Sequence, residues 1–329
     1  MTIEESGPAG KVKLKIGMYW AASCGGCDIS LLEIGPHLLE LIEAADIVFW
    51  PCAADFKYRD VVNYPDLHMD ICFFNGGVRS SEQEEIARLI RRKCKTLVAY
   101  GACACDGGIP ALANTKTVEG IFDASYHDNP SLDNPDRVEP QLLTMCEFGE
   151  LEIPRLYPQV LRLGDIVEVD YMIPGCPPVA ERVWEAILAL IGGGLPPRNS
   201  ALKVACSDKS VCDDCSLEKR QVRIKEIRRP HEAIPEAGWC LLEQGFICMG
   251  PATRSGCGAL CIKANLSCRG CYGPCREVQD QGAAMIGALG SILDADTEER
   301  AREMVDSIVD PVGTFYRFTM ASGDLKGRK

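Results

Sequence analysis

The sequence predicts an α/β protein: a doubly wound parallel sheet, followed by a cysteine-rich C-terminal region with little regular secondary structure. Three observations carry that reading. Short apolar runs alternate with helical patterns over residues 12–195, the rhythm of a sheet covered by helices on both faces. A stretch rich in glycine and proline, GGGLPPRNS at 192–200, then breaks the last helical pattern. Beyond it periodicity fades while cysteine becomes dense.

Taken in order, residues 12–20 read as the first strand. Residues 28–44 read as the first helix, with Pro36 tolerable only as a kink or a break, because proline offers the helix no N–H. Residues 45–50 and 69–75 are the second and third strands. Residues 81–94 form a helix that opens with a capping box, Ser81 and Glu84. Residues 96–100 are the fourth strand, 166–173 the fifth, and 178–191 the helix behind it. The expected strand order is flavodoxin-like. The chain then divides into a tail at 1–11, a sheet domain at 12–195 and a cysteine-rich domain at 200–329. A length of 329 residues suits two domains at about 100–200 residues each.

Composition excludes several classes. With 47% hydrophobic and 25% charged residues, the chain is not disordered. A net charge of −12 argues against nucleic acid as a partner. No apolar run reaches the roughly 18 residues of a membrane helix, and MTIEESGPAGKVKLK lacks a signal-peptide core. A cytoplasmic setting is therefore expected, where thiols stay reduced. Nineteen cysteines are an odd number that disulfides alone cannot use, so metal binding is the expected use of many.

Three cysteine sites share one topological position. The first strand runs into Cys24-Gly25-Gly26-Cys27, the fourth into Gly101-Ala102-Cys103, and the fifth into Pro174-Gly175-Cys176. Open α/β sheets bind ligands at the carboxyl edge of their strands. Cys24, Cys27, Cys103 and Cys176 are therefore expected to converge as one tetrathiolate site, with nearby glycines permitting close backbone approach. A thioredoxin-like dithiol is the rival for Cys24 and Cys27, but it leaves Cys103 and Cys176 unexplained. The C-terminal region holds Cys212, Cys215, Cys240 and Cys248, then Cys257, Cys261, Cys268 and Cys271, enough for two more four-thiolate sites. Zinc accepts such sites; iron–sulfur clusters use the same ligands and add redox function. Seven cysteines remain: Cys52, Cys72, Cys94, Cys105, Cys146, Cys206 and Cys275. Of these Cys52, Cys72 and Cys94 read as small buried hydrophobes, and Trp20, Trp50 and Trp239 as packing residues.

CGGC at 24–27, GACACDGGIP at 101–110 and PGCPP at 174–178 together resemble the small, electron-transferring subunit of NiFe hydrogenases. CLLEQGFICMGPATRSGCGALC at 240–261 and CRGCYGP at 268–274 are similar to the cytoplasmic enzymes of methanogens, above all the viologen-reducing type that does not reduce the deazaflavin coenzyme. The resemblance implies three 4Fe–4S clusters: a proximal one on Cys24, Cys27, Cys103 and Cys176, a medial one on Cys257, Cys261, Cys268 and Cys271, and a distal one on Cys212, Cys215, Cys240 and Cys248. It implies no nickel in this chain, since the nickel–iron centre lies in a large-subunit partner. It also implies a 2Fe–2S subunit and a heterodisulfide reductase of methanogenesis downstream. Better-known periplasmic relatives carry a histidine where this chain has Cys212, and a proline where it has Cys261, with a 3Fe–4S medial cluster. Asp28 falls beside, not on, an acidic position of that family. Complex I has a related subunit, typically with adjacent cysteines in place of Cys24-x2-Cys27. A quinone- or deazaflavin-linked relative and a zinc-stabilised structural protein are the alternatives.

KRQVRIKEIRR at 219–229 holds six basic side chains in an acidic protein. It reads as a solvated face or as a docking patch for an acidic electron-transfer partner. GGG at 192–194 is a linker, since no GK[ST] follows.

Overall fold

A computed structural model describes residues 13–195, 198 and 203–325. The expected tail at 1–11 and the first residue of the expected first strand lie outside the described residues. Five parallel strands form the central sheet: β1 (Leu14–Trp20), β2 (Ala45–Phe49), β3 (Met69–Asn75), β4 (Cys94–Tyr100) and β5 (Tyr171–Ile173). Their order is β2-β1-β3-β4-β5, the flavodoxin-like order. Ile16 lies opposite Ile71, Phe73 opposite Val98, and Tyr100 opposite Ile173.

Side chains alternate across the sheet, and both faces are buried. Tyr19, Cys72, Phe74, Leu97 and Ala99 point to one apolar cluster; Met18, Ile71, Phe73, Val98 and Tyr100 point to the other. A parallel sheet covered on both sides needs such near-continuous apolar strands. The first cluster is closed by Ile86 and Ile90 of a helix at Ser81–Lys93. The second is closed by helices carrying Leu31, Leu41, Val183 and Ile187.

Several elements differ from the sequence reading. The single helix expected at 28–44 is two, α1 (Gly26–Leu32) and α2 (His37–Ala44). Pro36 is the N-cap of the second, where its missing N–H costs nothing. The helix at Ser81–Lys93, here α3, is capped one residue earlier than expected: Ser80 accepts from the Gln83 N–H, and Gln83 reciprocates. The fourth strand begins at Cys94 and the fifth is only Tyr171–Ile173. Helix α4 (Ala102–Asp106) follows β4 directly, and α5 (Ala180–Gly192) follows β5.

After the linker the chain returns to the sheet, where the Val204 N–H donates to the Met172 carbonyl at 2.8 Å. From there secondary structure is sparse until α6 (Gln281–Ile292) and α7 (Glu298–Asp306). Met285, Leu289, Met304, Phe315 and Tyr316 from this last stretch pack with Leu242 and Met249, around the buried Cys248 and Cys268.

Candidate metal centres

The first group of thiols is assembled by the loops that leave β1, β4 and β5. Gly25, with φ +80°, turns the chain into α1 and leaves Cys24 exposed and Cys27 buried in the first helical turn. The Gly101 N–H donates to the Ile173 carbonyl at 2.8 Å, and the Ala102 N–H to the Gly175 carbonyl at 2.6 Å. These two bonds lock the loop bearing Cys103 against the loop bearing Cys176. Glycine is required here. A Cβ on Gly101, which has φ +86°, would overlap the Cys27 sulfur, and one on Gly108 would stand 2.5 Å from the Cys103 sulfur.

The electrostatics reflect this proximity. Burial pushes the Cys27 thiol up, reinforced by Cys103, Cys176, Cys105 and Cys24. Burial, then Cys176 and Cys24, push Cys103 up to about 12. Cys27, Cys103 and Cys176, raised first of all by burial, favour protonation unless a cation joins them, and a coordinating metal deprotonates a thiol outright.

Cys105 turns the opposite way. It is fully enclosed in the first apolar cluster, with its thiol directed at the carbonyls of Ala99 (3.4 Å) and Ile173 (3.6 Å). Asp28, next to Cys27, is buried and accepts from Trp50 Nε1 at 2.8 Å and Asn75 Nδ2 at 2.7 Å. Trp50 packs as expected, but Trp20 is substantially exposed. With Ile29, Leu32 and Ile109, also exposed, it gives the segments around Cys24 and Cys103 an apolar, uncovered rim.

The other two groups each line a cavity. Cys257, Cys261, Cys268 and Cys271 line one of about 590 Å³, whose wall also includes Cys176 of the first group. Cys212, Cys215, Cys240 and Cys248 line one of about 580 Å³. Burial and the Cys248, Cys215 and Cys240 neighbours push Cys212 up to about 12, while Lys219 opposes the shift. Nearby backbone N–H groups oppose the upward push at four thiols: Ile109 at Cys103, Gly250 and Cys268 at Cys248, Gly270 at Cys268, Cys176 at Cys271. Of these, the Cys268 N–H donates to the Cys248 sulfur at 3.3 Å. Among the described residues no three Cys, His, Asp or Glu side chains crowd together as around one ion.

Of the remaining cysteines, Cys72 and Cys94 are buried in the sheet as expected. Cys52 is not: it lies in the turn after β2 and is exposed. One structural element was invisible in the sequence. Lys203 and Asp106 form an ion pair of 2.6 Å with both side chains nearly enclosed. Gly273 makes room for it, since a Cβ there would lie 2.5 Å from the carboxylate and 2.7 Å from the ammonium. Only the glycine two residues after Cys271 hinted at it.

Residues 24–190, about half of the chain, match the family model described as NADH ubiquinone oxidoreductase, 20 Kd subunit. The iron–sulfur subunit of the F420-non-reducing hydrogenase of Archaeoglobus profundus is 41% identical over 286 residues, covering 85% of this chain and 88% of the relative. The corresponding hydrogenase subunit of Methanothermobacter thermautotrophicus is 35% identical over 313 residues, 94% of each chain. A crystal structure of an NAD+-reducing [NiFe]-hydrogenase in the H2-reduced state aligns with a TM-score of 0.48 at 32% identity, over 57% of this chain and 96% of that one. Sheet, thiol groups and sequence relatives together define an iron–sulfur, electron-transferring subunit of a hydrogenase. The chain belongs to the NiFe hydrogenase small-subunit family, alongside these subunits of the F420-non-reducing hydrogenases.

Proposed function

We propose that this chain carries electrons from dihydrogen, oxidised in a nickel–iron large subunit, through three 4Fe–4S clusters to an acceptor. Cys24, Cys27, Cys103 and Cys176 would hold the proximal cluster, within residues 12–195. Cys257, Cys261, Cys268 and Cys271 would hold the medial one, and Cys212, Cys215, Cys240 and Cys248 the distal one, within residues 200–329. The donor sets fit: four thiols each, glycine where a side chain would collide with sulfur, and N–H groups aimed at sulfur. The clusters would supply one-electron redox chemistry. The chain's own part is to space the thiols, exclude water and tune each group by N–H···S bonds and burial.

The observation that carries this reading is that the groups adjoin in series. Cys176 of the first group lines the cavity of the second, and the Cys268 N–H of the second donates to the Cys248 sulfur of the third. The apolar rim about Cys24 suits the large subunit. Lys219 and Arg223 line the third cavity, which suits an acidic acceptor such as a 2Fe–2S subunit serving a heterodisulfide reductase. Among the described residues no helix is long and apolar enough to cross a membrane, in keeping with a cytoplasmic setting.

Metal analysis of anaerobically purified protein tests the reading. About twelve iron and twelve acid-labile sulfide per chain are expected for three 4Fe–4S clusters. Zinc without sulfide would overturn it.

A further inference from the structure

A fourth cluster of chemistry lies away from the thiols. Arg228, Arg229, His231, Arg269 and Arg317 line a cavity of about 440 Å³. Among the described residues only Asp310 brings a carboxylate to its wall, and that carboxylate is partly used, since Oδ1 accepts the Gly313 N–H at 2.8 Å.

Three of the four guanidinium groups have no anionic partner among the described residues. Arg228 pairs with Glu226. Arg229, Arg269 and Arg317 form no ion pair there; Arg317 spends its Nε on the Gly313 carbonyl at 2.8 Å. These residues come from three separate parts of the chain, so sequence adjacency does not explain their meeting. The backbone holds them in place: the Arg228 N–H is bonded to the Gly245 carbonyl at 2.9 Å, and Arg317 follows a short helix at Pro311–Phe315. Like charges held together repel, and the repulsion grows as water is excluded. Glu226 pairs with Arg228, and Glu232 lies 3.9 Å from His231 and accepts the Arg229 N–H. In a protein of net charge −12, the Arg229, Arg269 and Arg317 guanidinium groups still form no ion pair among the described residues, and of those residues only Asp310 brings a carboxylate to this wall.

We propose that this cavity binds a small organic anion carrying two or more oxyanion groups, phosphate or carboxylate. Guanidinium forks match both geometries bidentately. The apolar wall, including Ile227, Ile308 and the exposed Val309, would receive the uncharged part of the molecule. Cavities of this size accept small ligands. Arg269 also lines the cavity of the second thiol group, so the two spaces share one wall.

The test is calorimetric titration of the purified anaerobic protein with pyrophosphate, ATP and citrate in turn, at fixed ionic strength. Saturable binding of one ligand per chain is expected for at least one probe. Tighter phosphates would assign the ligand to phosphate esters, tighter citrate to polycarboxylates. Arg229→Gln/Arg317→Gln should weaken binding by about a hundredfold, tenfold for each charge-assisted contact, while iron content stays unchanged. Arg229→Gln alone gives the tenfold step should the double variant be unstable. No binding of any probe, binding only of an acidic polypeptide, or undiminished affinity in the variants would each overturn the proposal.

Discussion

The backbone N–H of Cys268 donates to the sulfur of Cys248 at 3.3 Å, so one hydrogen bond joins two four-thiol groups. The Cys176 N–H lies near enough to the Cys271 sulfur to offset part of the burial that pushes that thiol up to about 12. A hydrogen bond to sulfur stabilises the thiolate and, in an iron–sulfur cluster, raises its potential. If these groups hold clusters as proposed, the peptide of one group would help to tune the next.

Cys103, not Cys105, should hold the proximal cluster. Cys103→Ser is expected to abolish the corresponding electron paramagnetic resonance signal and hydrogen-dependent dye reduction. Cys105→Ser should retain both and cost about 1 kcal/mol of stability, because the carbonyls of Ala99 and Ile173 accept the new hydroxyl. The opposite pattern would exchange the two assignments.

Cys261 is exposed and sits in the first turn of a short helix, Leu260–Lys263. Proline is tolerated there because first-turn N–H groups have no intrahelical partner. Cys261→Pro should therefore fold, keep Cys257, Cys268 and Cys271, and release the fourth iron. The oxidised variant complex should show a new 3Fe–4S signal while hydrogen splitting in the large subunit persists. An unchanged spectrum would mean that another thiol, such as Cys275, is the ligand.

The enclosed Lys203–Asp106 pair ties α4 to the start of the cysteine-rich region. Lys203→Met leaves a buried carboxylate alone and should destabilise the protein by about 3–5 kcal/mol. Asp106→Leu combined with Lys203→Met should recover most of it. Chemical denaturation under anaerobic conditions measures both; equal losses in single and double variants would show that packing, not charge, matters.

Cluster-free protein should be sensitive to alkali. The Cys103, Cys212 and Cys271 thiols are pushed from an ordinary 9.0 to about 12 in the folded chain, first of all by burial. Between those values the unfolded state has lost protons that the folded state keeps, so stability falls as pH rises above about 9. With metal bound the thiolates are already formed, and this loss disappears. Melting temperatures at pH 7 and pH 10, with and without clusters, provide the comparison; equal shifts in both forms would contradict it.

The edge loops were legible because each combines a strand signal with glycine and cysteine inside ten residues. The cysteines of the later groups were legible by chemistry, since little else explains their density. The features that escaped depend on remote segments meeting: Lys203 paired with Asp106, or Arg229, Arg269 and Arg317 lining one cavity. Helix α6 escaped for a different reason. Its sequence, QGAAMIGALGSI, is small or apolar on nearly every side, so no polar face marks its period. The cap at Ser80 and Gln83 lies one residue from the expected one because Ser81 and Glu84 offer the same spacing.

The uncovered rim around Cys24 bears on the order of assembly. Cys24 stays open to solvent while Trp20, Ile29 and Leu32 remain exposed. If the proposed large subunit seats there, it would shut that entrance, and iron and sulfide would have to reach the thiols before docking. On that reading a loaded chain awaiting its partner would be open to oxygen, and one exposed cysteine would mark when the interval closes.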